Sequence, residues 1–219
     1  MKTLFIMTVI CSSFFAKAQD STSYRAFQVT TGQKVLICRR PATVSNAAIM
    51  VTNGGMFDPD YSPHGMLICD GTVYKKLDLR TAKGANFYLQ PNGVFYIDEA
   101  GYHVGTSREF GGQYPDLKTK KPNFATQSGP MLVIKGAINK AFDKQSLNTN
   151  IRSGVGILPN GYPVFVIADA VTFYDFAMIF KEKFHCQDAL FLDGAISKMF
   201  IGQKLDDANF GPMIEVIKK

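Results

Sequence analysis

Tryptophan is absent from the chain, and histidine is scarce, with three copies in 219 residues. His64, His103 and His185 lie far apart, and no C-x-x-C pair accompanies them. That excludes the spaced ligand sets of structural zinc sites. Four cysteines are too few for a disulfide framework. Cys11 falls in the leader discussed next, which leaves Cys38, Cys69 and Cys186. An odd set of three permits at most one internal bridge, and each sits in or beside an apolar run, so buried free thiols are expected. Also missing is a stripe of lysine and arginine interleaved with aromatics. Apart from Arg39-Arg40 and the run from Lys118 to Lys121, the basic residues are scattered, so nucleic acid is not an expected partner. Beyond residue 18 no apolar run approaches the ~20 residues a membrane helix needs, so stable membrane insertion is not expected.

What is present begins with a leader. Met1-Lys2 is basic, residues 4–15 are mostly apolar, and Ala16-Lys17-Ala18 precedes Gln19. This is the pattern of a cleaved secretory signal, so residues 1–18 are expected to leave and the mature domain to occupy 19–219, in the periplasm or outside the cell. The net charge of +6 falls to +4 without Lys2 and Lys17. A body of this size, with 46% hydrophobic residues, suits one domain with its own core. The oligomeric state is not legible.

Apolar or alternating runs predict strands over 24–29, 34–38, 47–51, 66–69, 86–89, 94–97, 131–134, 154–158, 164–167 and 189–192. Asp70-Gly71, Pro91-Asn92-Gly93 and Pro159-Asn160-Gly161 read as hairpin turns. One helix is expected from Thr172, with Asp175 completing a capping box and Phe173, Phe176, Ile179 and Phe180 at helical spacing. Strand, helix and strand in that order suggest a right-handed crossover feeding a parallel pair. The fold class is therefore α+β, a single domain with a strand-rich mixed sheet and few helices. Residues 106–124 and 139–151 read as long loops.

Five stretches can carry chemistry. Asn53-Gly54-Gly55 after a strand offers backbone N–H groups and an amide to a ligand, or is simply a turn. His64 stands in a loop beside Gly65, at a cleft edge or in a structural role. Gln127 and Ser128 precede Gly129-Pro130, but no helix follows, which excludes a hydrolase elbow. Arg152 opens a strand with Gly154 and Gly156 leaving space around it, and its planar fork matches phosphate oxygens. Asp193-Gly194 ends an apolar strand, where desolvation raises a carboxyl pKa toward the useful range. Asp169 takes the matching position after the earlier strand of the crossover, where ligands collect.

These stretches follow one another in a telling order: Asn53-Gly-Gly-Met-Phe57, His64-Gly65, Asn86-Phe87, Gln127-Ser-Gly-Pro-Met-Leu132, Arg152-Ser-Gly-Val-Gly156 and Leu192-Asp-Gly-x-x-Ser197. In this the chain resembles the phosphodiester glycosidase family, in its small bacterial single-domain branch, over residues 45–201. The resemblance implies hydrolysis of a sugar joined through its anomeric oxygen to a phosphodiester. It implies Asp193 as catalytic group, with Asp169 as the candidate second carboxylate. Arg152 would hold phosphate with the backbone of Gly54 and Gly55, and Asn53, His64, Gln127, Ser128, Gly194 and Ser197 would position substrate. The expected partner is a sugar phosphodiester or a phosphate-containing envelope glycan. A phosphodiesterase cutting P–O, or a non-catalytic module for anionic glycans, are the alternatives. No cofactor is implied; a divalent cation stays open, although Asp58, Asp60 and Asp70 lack EF-hand spacing. The family commonly has Asp-Gly-Gly-Gly-Ser where this chain has Asp193-Gly-Ala-Ile-Ser197, which adds bulk beside the acid.

Overall fold

The computed structural model describes residues 23–39, 44–82, 84–194, 196–202 and 211–219. The expected signal segment, 1–18, lies outside the described residues. The chain forms an α+β domain in which strands dominate.

The first half holds β1 (Tyr24–Gln28), β2 (Gln33–Cys38), β3 (Ala48–Asn53), β4 (Leu67–Cys69), β5 (Thr72–Lys75), β6 (Gly93–Asp98) and β7 (Gly101–Thr106). After helix α1 (Ser107–Gln113) come β8 (Phe124–Ser128), β9 (Met131–Ile134), β10 (Ala137–Ile138), β11 (Asn150–Ile157) and β12 (Pro163–Val171). Helix α2 (Phe173–Met178) runs on into a π-helical turn, and β13 (Ala189–Asp193), β14 (Met199–Ile201) and β15 (Met213–Lys218) close the chain.

Three sheets result. One has the order β1-β12-β11-β13-β9-β10, the second β14-β3-β15-β2 and the third β5-β4-β8-β6-β7. The main core lies where they meet: Ile37, Met50, Leu67, Phe95, Phe165, Leu192 and Ile214, drawn from all three, are buried in one cluster. The opposite face of the six-stranded sheet is covered by α2. There Phe176 and Phe180 pack with Val166 and Phe191.

The crossover through α2 is present, but the expected parallel pair is not. β12 and β13 each pair antiparallel with β11, which lies between them. The two strands therefore run the same way without touching, because β11 supplies both with ladder partners. The helix starts where Thr172 predicts. Its hydroxyl accepts from the Asp175 N–H at 3.1 Å and donates to the Asp175 carboxylate at 2.8 Å.

Residues 86–89 are not a strand. Asn86–Tyr88 form a 3-10 turn that buries Phe87 and leaves Tyr88 half-buried against it. The segment 106–124 is not all loop either. Thr106 and Glu109 form a capping box at the start of α1, a signal that the sequence carries openly.

Gly154 and Gly156 serve the helix rather than the arginine beside them. A Cβ on Gly154 would lie 3.1 Å from the rings of Phe176 and Phe180. One on Gly156 would lie 2.7 Å from Cys186 Sγ and from Phe180. Gly156→Ala is therefore expected to destabilise the fold by about 1–3 kcal/mol through overpacking. Gly112→Ala on α1, where a Cβ meets no atom within 4 Å, should stabilise it by up to ~1 kcal/mol. Urea unfolding of both variants checks this contrast.

Candidate active site

Asp193 is the last residue of β13, at the point where the chain leaves the six-stranded sheet. Its carboxylate accepts two N–H bonds. One comes from the Gly194 backbone to Oδ1 at 2.7 Å, the other from the Asn53 side chain to Oδ2 at 3.2 Å. Only 8% of Asp193 is exposed. Burial outweighs the two donors and pushes its pKa up from 3.8 to about 6.

Asn53 ends β3 in the second sheet and is fully buried. Its carbonyl oxygen accepts from the Lys198 backbone at 2.8 Å, while Thr52 Oγ1 donates to Lys198 O at 2.9 Å. Both strand-end side chains thus hold the link from β13 to β14. On that link the Ser197 N–H donates to Gly194 O at 2.7 Å. The Ser197 hydroxyl lies 2.9 Å from that of Ser153, the ladder partner of Asp193.

A cleft of about 570 Å³ opens beside this link. Tyr24, Arg25, Asp169, Ser197, Lys198 and Phe200 are among its lining residues. Asp169 is exposed there. It belongs to β12, which β11 separates from β13, and lies two residues beyond the level of Asp193, so the backbones carrying Asp169 and Asp193 are roughly 12 Å apart by two interstrand spacings and that offset. Arg25 and Lys198 are exposed cations that sequence reasoning missed. No local signal marks Arg25, which reaches the cleft only because β1 pairs with β12.

Arg152 departs from expectation. Instead of offering its fork to phosphate it is 2% exposed. Its Nε donates to Val171 O at 2.9 Å and Nη2 to Asn148 O at 3.1 Å. The guanidinium sits 3.7 Å from the centroid of the Phe173 ring and 5.8 Å from that of Phe191. Phe173 covers it because α2 starts immediately after the strand that carries Val171. Among the described residues no carboxylate forms an ion pair with Arg152. Burial alone lowers its pKa to about 10. It adjoins Ser153, the ladder partner of Asp193, so the Arg152 and Asp193 side chains leave the same end of the sheet on opposite faces, that of Arg152 on the face covered by α2.

Several expected substrate contacts are spent internally. The Gln127 oxygen accepts from the N–H groups of Met66 and Asp78, both at 3.0 Å. Its amide donates to Asp78 O at 2.6 Å and to Ser107 Oγ at 3.0 Å. That uses all four of its hydrogen-bonding positions, so Gln127 pins strands instead of positioning substrate. Ser128 is buried and donates to Leu192 O at 2.7 Å, which braces the residue before Asp193. The N–H groups of Gly54 and Gly55 go to Pro212 O and Thr126 Oγ1, at 2.8 and 2.9 Å, and are not free for phosphate. A Cβ at Gly55 would collide with Gln127 O, so the residue is glycine for close strand approach.

His64 is half-buried. Its Nδ1 lies 2.6 Å from Asp58 Oδ1 and its Nε2 lies 3.2 Å from the Tyr88 hydroxyl. Of the three aspartates weighed as cation ligands, Asp58 thus faces His64, Asp60 accepts from the Ser62 N–H at 3.0 Å, and Asp70 takes a positive φ in its turn. Among the described residues no group of three histidine, cysteine, aspartate or glutamate side chains is placed to hold a metal ion.

The family model for phosphodiester glycosidases matches residues 46–213, a span that runs from β3 through the start of β15 and includes every site residue just described except Tyr24 and Arg25. The chain belongs to the phosphodiester glycosidase family. It is 41% identical over 154 residues to the protein YigE of Escherichia coli (strain K12), a match covering 69% of this chain and 58% of the relative. In fold it resembles the crystal structure of a hypothetical protein from Synechocystis, with a TM-score of 0.54 and 12% identity over 90% of this chain and 59% of that one. The chain thus spans under three fifths of the length of each of these two proteins. Within this phosphodiester glycosidase fold, the carboxyl group at the end of β13 is held by donors from two different sheets.

A raised carboxyl pKa has a sign in stability. The fold favours the neutral form of Asp193, so its contribution is full below about 3.8 and is lost as pH rises through about 6. Asp193→Asn removes that loss. Its unfolding free energy should gain about 3 kcal/mol on the wild type between pH 3.5 and 7.5. Urea titrations of the two proteins across that range measure the difference, and parallel curves would contradict the buried setting.

Proposed function

We propose that the protein is an exported hydrolase that cuts the glycosidic C–O bond of a sugar-1-phosphodiester. The observation that carries this reading is the Asp193 carboxylate, buried, oriented by N–H donors on both oxygens, and close in the chain to Ser197 and Lys198, which line the cleft. Donors on both oxygens favour the ionised form in a fixed orientation. That form acts at the anomeric carbon, where positive charge develops as the phosphate departs. Phosphate is a good leaving group, so strong acid assistance is not needed. Asp169, which lines the cleft, is the second carboxylate.

The phosphoryl oxygens take their charge partners from Arg25 and Lys198 in the cleft. Arg152, a buried cation with no carboxylate partner in the described chain, adds positive potential from within the sheet. Ser197 and the Gly194 backbone border the sugar. The bulk of Ile196, where the family commonly has glycine, favours a substrate other than one shaped for a three-glycine turn.

The leader sequence supports export. We take the working compartment to be the periplasm or the cell exterior, with a phosphate-containing envelope glycan as the natural partner. Among the described residues no helix is long and apolar enough to cross a membrane.

Hydrolysis of a sugar-1-phosphodiester in heavy-oxygen water tests the bond cleaved. Label in the released sugar is expected; label in the phosphate would mean P–O cleavage and overturn the reading. Asp193→Asn should lower kcat/KM by at least about a hundredfold. In the wild type kcat/KM should rise with pH through about 6, since the ionised carboxylate is the active form.

A further inference from the structure

A second cleft, of about 610 Å³, lies on the five-stranded sheet, away from Asp193. Its floor is aliphatic, from Val73, Leu77 and Leu117, which rest on the buried cluster around Phe110. Tyr74 and Leu79 stand above it, 46% and 56% exposed, a large apolar outlay for a surface segment. Three lysines line it, Lys75, Lys76 and Lys118, against one acid, Asp116. Two further cations sit on its tyrosines: Arg39 lies 5.0 Å from the Tyr74 ring centroid and Lys120 5.5 Å from that of Tyr114. Neither Lys76 nor Lys118 forms an ion pair with the described residues.

We propose that this groove is a second binding site, which takes a stretch of a phosphate-bearing glycan polymer. The chemistry matches in alternation: sugar C–H faces settle on the exposed Tyr74 and Leu79 side chains, and phosphates meet the ammonium groups of Lys76 and Lys118. Single-stranded nucleic acid fits less well, because successive bases want a run of stacking platforms and Tyr74 is the one exposed ring among the lining residues. The groove is tied to the segment after Asn53 by hydrogen bonds. Lys75 Nζ donates to Pro63 O at 2.6 Å, and the next residue, His64, donates its N–H to Met56 O at 2.8 Å, in the segment that starts at Asn53. The inference rests on the sugar-phosphodiester reading for the identity of the polymer, and it implies that the enzyme holds a chain while working on one linkage.

The test is equilibrium binding of a fluorescent oligomer of mannose-1-phosphate repeats to the mature protein, followed by anisotropy. Lys76→Glu combined with Lys118→Glu should weaken binding roughly tenfold or more, and wild-type binding should fall as salt is raised. Hydrolysis of a short, monomeric sugar-1-phosphodiester by the double variant should match wild type. A neutral mannan oligomer should bind weakly to both. An unchanged Kd in the double variant would overturn the proposal. So would a single-stranded oligonucleotide of equal charge that binds as tightly and with the same lysine dependence. The binding assay needs no turnover. Loss of the groove result with short-substrate hydrolysis intact therefore counts against the groove alone, while absence of any hydrolysis counts against the catalytic reading.

Discussion

One side-chain amide joins the two halves of the site. Asn53 ends a strand of the four-stranded sheet and donates across to the carboxylate that ends a strand of the six-stranded one. Its oxygen simultaneously fixes the backbone of Lys198. With both ends of the amide engaged, Asn53 has little rotational choice, and neither has the backbone of Lys198. The carboxylate, the serine pair and the cleft wall are set by that one residue. A buried acid held by strand ends instead of by a loop tip keeps its geometry without needing a ligand to organise it.

The arrangement costs stability. Ionised Asp193 has exchanged water for two N–H groups and a largely apolar surrounding, and the trade is unfavourable near neutral pH. Arg152 repeats the pattern with the opposite sign: two carbonyls and an aromatic face replace its hydration, and among the described residues no carboxylate neutralises it. Two uncompensated charges at one end of a sheet are hard to explain as scaffolding, since fold stability would be better served by apolar residues there. They are expected where function requires fields of both signs.

Much of this was legible in residue order. The apolar run closing on Asp193-Gly194 marked a buried strand with a carboxylate at its end, whereas Asn53-Gly-Gly read as an approach to a ligand and is a close approach between strands. Thr172 announced its helix, as Thr106 with Glu109 announces α1. What residue order could not tell is where hydrogen-bonding capacity is spent. Gln127 and Ser128 look like free polar groups in sequence, yet their partners are Asp78, Ser107 and Leu192, twenty or more positions away. The glycines beside Arg152 read as room for a ligand, and α2 fills that room. Arg25 and Lys198 come to one cleft through strand pairings that no local pattern encodes, and the insertion of β11 between β12 and β13 is equally non-local.

The central claim is that Asp193 is a buried carboxylate tuned by the Asn53 amide. Carbon-13 NMR titration of the Asp193 carboxyl, in the wild type and in Asn53→Leu, addresses it directly. The account predicts a wild-type midpoint near 6 and a higher one in the variant, which keeps the bulk and loses the donor. A wild-type midpoint near 4, or the same midpoint in both proteins, would contradict it.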